Sequence, residues 1–173
     1  DFKPVLRKII KEDLDIVFQW RNTLEIRTNM INHQKISMQE HKSWFDRVQN
    51  SETKITLIYI EKNLRLGVVS LDLIENDLFE WGFYSSPLAP LGTGTKMCLE
   101  ALDFAFENLS AGSVIGKVLE FNKKSQKFHL KIGFKEISVD LNAYRRDNES
   151  YSIYNYVFNR ENWITKKSKL PIE

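Results

Sequence analysis

The chain has 173 residues, of which 42% are hydrophobic and 28% charged, with a formal net charge of +2. This length predicts one domain with a substantial core, and the near balance of charge gives no general reason to expect nucleic acid or a membrane as partner. The apolar runs are too short to span a membrane, and we expect no leader segment. A single cysteine, Cys98, excludes an internal disulfide, so we expect a cytoplasmic protein.

The first fifty residues predict one strand and two helices. Val5 to Ile10 is strand-like, and apolar residues at helical spacing follow from Leu14 and end in Arg21. Ser37 to Glu40 has the form of a capping box, which starts a second helix with His41 on its apolar face. Arg21 either extends to solvent or binds an anion in a cleft. His41 is either a hydrogen-bonded core histidine or a ligand contact.

Three strands joined as antiparallel hairpins are predicted next: Ile55 to Ile60, Leu64 to Ile74 and Phe79 to Tyr84. In the third, Glu80 and Tyr84 share one face, and the aromatic residues between them share the other. We expect the aromatic face to pack and the Glu80 face to be available for polar chemistry.

A glycine-containing loop then opens an amphipathic helix, with the sequence Pro90-Leu91-Gly92-Thr93-Gly94-Thr95-Lys96-Met97. Two glycines separated by one residue let consecutive backbone N–H groups face one anion, and the positive end of the helix dipole adds to the attraction. The spacing fits neither an ATP-binding P-loop nor a dinucleotide-binding turn. The loop therefore predicts a phosphate site, and the alternative is a turn that binds nothing.

The C-terminal part predicts a strand over Ser113 to Phe121, a helix over Asn122 to Ile132 and a strand over Tyr151 to Phe158. We expect one domain over residues 1–160 and a lysine-rich tail over 161–173 that is frayed after Trp163. This order of elements predicts a mixed sheet covered by helices.

Two of these segments resemble the GNAT superfamily of acyl-CoA-dependent N-acetyltransferases. The loop pattern of that family is Gln/Arg-x-x-Gly-x-Gly/Ala, and this chain has Gly92 and Gly94 but Ala89 at the first position. The second pattern, Asn-x-x-Ser/Ala-x-x-Leu-Tyr/His-x-Lys-x-Gly-Phe, is matched closely by Asn122 to Phe134. The resemblance implies a GNAT fold of the α/β (α+β) class. Its mixed, mostly antiparallel central sheet would be flanked by helices on both faces and splayed between the fourth and fifth strands.

The resemblance also implies site residues and acetyl-CoA as acetyl donor, with no metal. Asn122 would contact the pantetheine arm, and His129 would protonate the departing thiolate. Glu80 is either the base that takes the amine's proton, directly or through water, or an ion-paired strand residue. Backbone N–H groups of Phe83 or Tyr84 would polarise the thioester oxygen. The acetyl-CoA contacts expected are Phe83, Tyr84, Leu91, Gly92, Thr93, Gly94, Thr95, Asn122, Ser125 and Phe128.

A narrower likeness is to the pseudaminic-acid-pathway N-acetyltransferases. It is carried by four segments: Phe18 to Asn22, Glu40 to Phe45, Leu66 to Ser70 and Glu80 to Tyr84. It implies acetylation of the free amine of UDP-4-amino-4,6-dideoxy-N-acetyl-β-L-altrosamine, a small-molecule partner, and it leaves room for a homodimer. The substrate contacts implied are Arg21, His41, Asp72 and Tyr84. Two alternatives stay open: acetylation of a protein N-terminus or another small amine such as an aminoglycoside, and a module that binds acyl-CoA without catalysis.

Overall fold

The computed structural model describes residues 3–169, which form seven strands and six α-helices. The strands are β1 (Val5–Lys8), β2 (Lys54–Glu61), β3 (Leu64–Glu75), β4 (Leu78–Ser85), β5 (Ser113–Leu119), β6 (Lys135–Arg146) and β7 (Glu149–Asn159). The helices are α1 (Leu14–Arg21), α2 (Leu24–Arg27), α3 (Met38–Gln49), α4 (Thr93–Asp103), α5 (Lys123–Ile132) and α6 (Arg160–Lys167). A π-helical turn, Phe104–Asn108, continues α4.

The strands form one sheet in the hydrogen-bonding order β1-β2-β3-β4-β5-β7-β6, which confirms the predicted mixed, mostly antiparallel sheet with flanking helices. β4 and β5 are parallel, and they pair from Leu78 with Ser113 to Trp81 with Gly116. This pairing covers only the first half of β4. The predicted opening between the fourth and fifth strands is therefore confirmed.

The chain divides into two compact units. The first consists of the chain up to Asp72 together with Gly82–Ala101, and the second of Leu73–Trp81 together with the chain from Leu102 onward. Each unit has its own group of buried apolar side chains. The predicted site residues are divided between the two units, and we describe each set within its own unit.

The core of the first unit lies where α1 packs by its apolar face. Leu14, Val17 and Trp20 are buried at helical spacing, as the sequence predicts. The capping box at the start of α3 is also confirmed: the Glu40 N–H donates to Ser37 Oγ (3.1 Å), and the Ser37 N–H donates to Glu40 Oε1 (3.2 Å). Such a cap stabilises a helix by about 1 kcal/mol.

The core of the second unit is aromatic, and it orders residues that the sequence predicts to lie in a frayed tail. Trp163 is only 1% exposed, and its ring packs against Phe106 (6.0 Å between centroids) and Phe158 (6.1 Å). The prediction of fraying after Trp163 is wrong as far as Lys167, because this buried indole anchors α6. Residues 170–173 of the predicted tail lie outside the described residues.

Candidate functional site

The glycine loop of the first unit presents backbone N–H groups at the start of α4. Gly92, the residue before the helix, has φ +89°, a left-handed conformation that favours glycine. The Thr93 N–H donates to the Pro90 carbonyl (3.2 Å), and the Lys96 N–H donates to the Gly92 carbonyl (3.2 Å). Between them, the N–H groups of Gly94 and Thr95 donate to no acceptor in the described chain. This is the arrangement that binds phosphate at a helix N-terminus.

The side chains of the loop contribute less than its backbone. Thr93 is buried, and its hydroxyl donates to the Pro90 carbonyl (2.7 Å), while Leu91 is fully exposed. The ammonium of Lys96 is ion-paired with Glu61, with Nζ 3.1 Å from Oε1. An anion at this loop would therefore meet main-chain donors first.

Arg21, at the end of α1, is buried, which excludes the solvent-extended alternative. Its side chain is 8% exposed and donates to the backbone carbonyls of Asn32 (2.7 Å) and Gln34 (3.3 Å). Within residues 3–169 it forms no ion pair with a carboxylate. Burial lowers the pKa of Arg21, and the nearby Tyr84 hydroxyl opposes that shift. Among the described residues, the guanidinium is thus a buried cation held by carbonyl oxygens alone.

His41 has the surroundings of a core histidine. It is 2% exposed, and its Nε2 lies 3.0 Å from the Leu14 carbonyl, which can only accept, so Nε2 carries the proton. The imidazole stacks on Trp44 (5.2 Å, 17°) and lies 5.4 Å from the Phe18 ring. Burial lowers the pKa of His41. These contacts account for the residue without a ligand, and the predicted substrate contact remains a prediction.

The other substrate and donor contacts predicted in the first unit lie along β3 and β4. Tyr84 is half-buried against the α1 core, and burial raises the pKa of its hydroxyl while the Arg21 charge lowers it. Asp72 is half-buried in β3, opposite Lys54 of β2. Phe83 is half-buried in β4. The first unit therefore brings Arg21 near both Tyr84 and His41 among the predicted substrate contacts, since Tyr84 affects the pKa of Arg21 and Arg21 affects that of His41.

Glu80, in the second unit, is a partly exposed, ion-paired carboxylate. It lies in β4 opposite Ile115 of β5, and its Oε1 is 3.5 Å from Lys117 Nζ. The Glu80 side chain is 34% exposed, so water reaches it. Both alternatives from the sequence are compatible with this geometry, because an ion-paired carboxylate in contact with water can still accept a proton.

His129, the predicted proton donor, is buried with both ring nitrogens engaged. Its Nδ1 lies 2.8 Å from the Ser125 carbonyl, which can only accept, so Nδ1 carries the proton. Its Nε2 accepts a hydrogen bond from Trp81 Nε1 (3.1 Å). Burial lowers the pKa of His129. In this arrangement the imidazole is neutral, and neither nitrogen is open to a thiolate.

The remaining acetyl-CoA contacts predicted in the second unit lie at the start of α5. Asn122 is the N-cap, and its Oδ1 accepts from the Ser125 N–H (3.3 Å). The Asn122 side-chain NH₂ group donates to nothing else in the part of the chain that the structure describes, so it is open to a ligand carbonyl. Ser125 and Phe128 are half-buried on the same helix. Asn122 and Ser125 thus form one hydrogen-bonded cap.

Sequence reasoning missed Trp81, Gly116 and Tyr156 as neighbours of the predicted donor. The sequence pattern places Trp81 on the packing face of its strand and does not show that its indole donates to His129. Gly116 lies opposite both Trp81 in β4 and Tyr156 in β7. A glycine in the middle of a strand marks the close approach of another group, and this signal was available at Gly116. Because consecutive strand residues point to opposite faces, Glu80 lies on the other face of β4 from the Trp81–His129 pair.

Two negative findings apply to the described residues. Among residues 3–169 no group of three or more His, Cys, Asp or Glu side chains lies close enough together to hold a metal ion. No helix in that range is long and apolar enough to cross a membrane.

Comparison with known proteins gives matches in sequence and in structure. The family described as Acetyltransferase (GNAT) domain matches residues 4–135. Acetyltransferase PseH of Campylobacter jejuni subsp. jejuni serotype O:23/36 (strain 81-176) is 26% identical over 134 residues, which cover 77% of this chain and 83% of that protein. A spermidine N-acetyltransferase from Vibrio cholerae, solved with CoA and spermine, has a TM-score of 0.85 at 16% identity, covering 93% of this chain and 98% of that one. An N-acetyltransferase from Staphylococcus aureus Mu50 has a TM-score of 0.75 at 18% identity, covering 92% and 99%.

Proposed function

Because the chain belongs to the GNAT acetyltransferase family, we propose that it acetylates the free amine of a UDP-linked 4-amino-4,6-dideoxy sugar, in the biosynthesis of pseudaminic acid. The chain is an acetyltransferase, and acetyl-CoA is its acetyl donor. The similarity to PseH supports a sugar amine as acceptor.

The observation that carries the choice of acceptor is the buried cation at Arg21. A buried charge without an opposite charge is costly, and an anionic ligand offsets that cost. Arg27 adds to the positive charge: its Nη1 donates to the His33 carbonyl (3.1 Å), its Nε is buried without a partner, and it has no carboxylate partner in the described range. Burial is the main cause that lowers the pKa of Arg21, and the positive charge of Arg27 lowers it further. A nucleotide diphosphate would neutralise this pair, whereas a polyamine would add further positive charge.

The donor would be held through the backbone and one amide side chain. The open N–H groups of Gly94 and Thr95 would bind the diphosphate of acetyl-CoA, assisted by the positive end of the α4 dipole. The free NH₂ group of Asn122 would donate to a carbonyl of the pantetheine arm. Neither contact reads the acyl group, so both serve donor binding alone.

Proton transfer needs one acceptor among the side chains, because only the neutral amine can attack the thioester carbonyl. Glu80 would take the amine's proton, directly or through water, and Lys117 would balance the carboxylate before the reaction. The leaving group is a thiolate, which is a much weaker base than an alkoxide, so it can depart without a strong acid. The resemblance predicts His129 as its proton donor, but both of its ring nitrogens have partners.

The test of the acceptor is CoA release with four amines: a UDP-4-amino-4,6-dideoxy sugar, spermidine, an aminoglycoside and a peptide with a free N-terminus. We expect release with the nucleotide sugar. Arg21→Gln should raise KM for that sugar about 10- to 100-fold, the range expected for a charge-assisted hydrogen bond. KM for acetyl-CoA should not change. Arg47→Gln, at an exposed position of α3, is the matched control and should behave as wild type.

Each other outcome of this assay has a definite meaning. Release with spermidine and none with the nucleotide sugar would reject the proposed acceptor and leave the acetyltransferase assignment intact. An unchanged KM for the sugar in Arg21→Gln would reject the role of Arg21. Binding at the loop is tested separately: acetyl-CoA should raise Tm, and ATP and NAD should not, since ligand binding to the native state stabilises it by mass action.

A further inference from the structure

A buried hydrogen-bonded pair, Trp81 and His129, joins β4 to α5 within the second unit. Trp81 is 5% exposed and His129 is 2% exposed, and the indole Nε1 donates to the imidazole Nε2 at 3.1 Å. Trp81 belongs to the last residue pair between β4 and β5, and it directly follows Glu80 in the strand. The pair therefore fixes the backbone beside the carboxylate proposed to accept the amine's proton.

The surrounding chain leaves this pair one arrangement. A Cβ placed on Gly116 would lie 2.5 Å from His129 Nε2 and 2.9 Å from Trp81 Nε1, so only glycine admits the contact. On the other side, Tyr156 stacks on the imidazole (5.2 Å between centroids, 23°). Phe134 meets it edge-on at 4.9 Å. Close packing of this kind holds side chains in single rotamers.

The same contacts keep His129 neutral. Protonation at Nε2 would set two N–H donors against each other, since Trp81 Nε1 can only donate. Trp81, Ser125, Phe128, Phe134 and Tyr156 contact His129, and all five side chains are uncharged at neutral pH. Tyr156 is the titratable group among them, and burial raises the pKa of its hydroxyl. Burial lowers the pKa of His129, and this effect outweighs the Ser125 carbonyl, which favours the imidazolium.

We propose that Trp81 and His129 are positioning residues for Glu80, and that His129 gives no proton to the reaction. The hydrogen bond between them fixes β4 where it carries the carboxylate. This inference rests on the proposed function for the role of Glu80. A misplacement of about 1 Å in a reacting group can lower a rate by as much as about 100-fold, so a fixed strand has kinetic value.

Two substitutions at His129 separate positioning from proton donation. In His129→Gln the side-chain oxygen can still accept a hydrogen bond from Trp81, but the glutamine side chain itself does not titrate near neutral pH. In His129→Phe a ring remains to pack, but nothing accepts. We expect His129→Gln to keep at least about a third of kcat, with both limbs of the pH profile in place. His129→Phe should lose about tenfold in kcat, and KM for acetyl-CoA should be unchanged in both variants.

Trp81→Phe should lose as much kcat as His129→Phe, because either change removes the same hydrogen bond. The double variant, Trp81→Phe with His129→Phe, should be no slower than either single variant.

The opposite results would overturn the proposal. Equal loss of activity in His129→Gln and His129→Phe, with loss of the basic limb of the profile, would make His129 the proton donor. A His129→Phe enzyme with lowered Tm but wild-type kcat, measured well below its melting range, would leave His129 a merely structural residue.

A spectroscopic measurement tests the same inference without any acceptor. In protein with isotopically labelled histidine ring nitrogens, the signal that His129→Gln removes should show a proton on Nδ1 and none on Nε2. It should begin to titrate only below the ordinary histidine pKa of about 6.5. Titration near the ordinary histidine pKa of about 6.5 would overturn the proposal. Because no sugar is needed, this result is independent of whether the proposed acceptor is correct.

Discussion

Gly92 in the first unit and Gly116 in the second occupy opposite kinds of space. A Cβ on Gly92 would meet nothing within 4 Å, and glycine is favoured at this position by its φ of +89°. A Cβ on Gly116 would lie 2.5 Å from an imidazole nitrogen. One glycine shapes a backbone that stays open in front of unused N–H groups. The other lets a tryptophan and a histidine approach closely enough that the indole N–H and both imidazole nitrogens are hydrogen-bonded.

The difference separates a loop with unused backbone donors from a side-chain cluster with paired hydrogen bonds. The loop at Gly92 keeps hydrogen-bonding capacity to spare, because the N–H groups of Gly94 and Thr95 have no acceptor in the described chain. The cluster at Gly116 is complete in itself, because the donors and acceptors of its histidine ring are paired. A ligand should therefore alter the loop more than the cluster, and a substitution should damage the cluster more than the loop.

The largest effect is expected for Gly116→Ala. The added methyl group would collide with ring atoms of His129 and Trp81, and overpacking of this kind lowers the free energy of unfolding by about 2 to 3 kcal/mol. Urea denaturation, compared with Gly94→Ala, measures the loss. In that control the new Cβ would have ordinary contacts, with Ser85 Oγ at 3.8 Å. An unchanged midpoint in Gly116→Ala would show that the cluster can shift to admit a methyl group, and would contradict the close packing inferred at Gly116.

Gly92→Ala should have a smaller effect, of a different kind. No contact opposes the methyl group, but a left-handed conformation raises the energy of an alanine by about 1 kcal/mol relative to glycine. The same denaturation series should therefore place this variant between Gly94→Ala and Gly116→Ala. A loss as large as that of Gly116→Ala would mean that the loop is packed rather than open.

The smallest effect is the pH dependence of stability that the two buried histidines produce. Burial lowers the pKa of both His41 and His129, so below about pH 6.5 the unfolded chain binds protons that the folded chain does not. Their contribution to stability is present above that pH and is lost as the pH falls through it. Tm should therefore decrease on acidification, less steeply in His129→Gln. An identical slope in that variant would contradict the lowered pKa of His129.

The parts of the fold that the sequence predicts are those with strong local signals. The helix at Ser37 is announced by its capping box, and β2, β3 and β4 by apolar runs between polar turns. β6 is absent from the prediction because most of its side chains are exposed. Register irregularities at Glu136/Ser138 and Asp140/Tyr144 also break its alternation. The short helices α2 and α6 are missed because each buries a single side chain, Ile26 and Trp163.

The candidate site residues also fall into two groups: those that local sequence signals predict and those whose contacts only the folded structure reveals. Motifs place Gly92, Gly94 and Asn122 correctly at helix starts, because backbone conformation and capping are local properties. The partner of His129 cannot be found that way, because Trp81 lies 48 residues earlier and only the folded chain brings the two rings together. The pairing of a histidine nitrogen decides whether it can give a proton. That property belongs to tertiary structure rather than to the motif.

The alternation of side chains along β4 makes the length of this strand critical. Inserting one residue between Leu78 and Glu80 would reverse every side chain that follows relative to β5. A carboxylate would then replace the indole beside His129, where an acceptor facing another acceptor would force protonation or expulsion. Homologous acetyltransferases that keep a histidine at this position are therefore expected to vary in the residue types of β4 but not in its residue count.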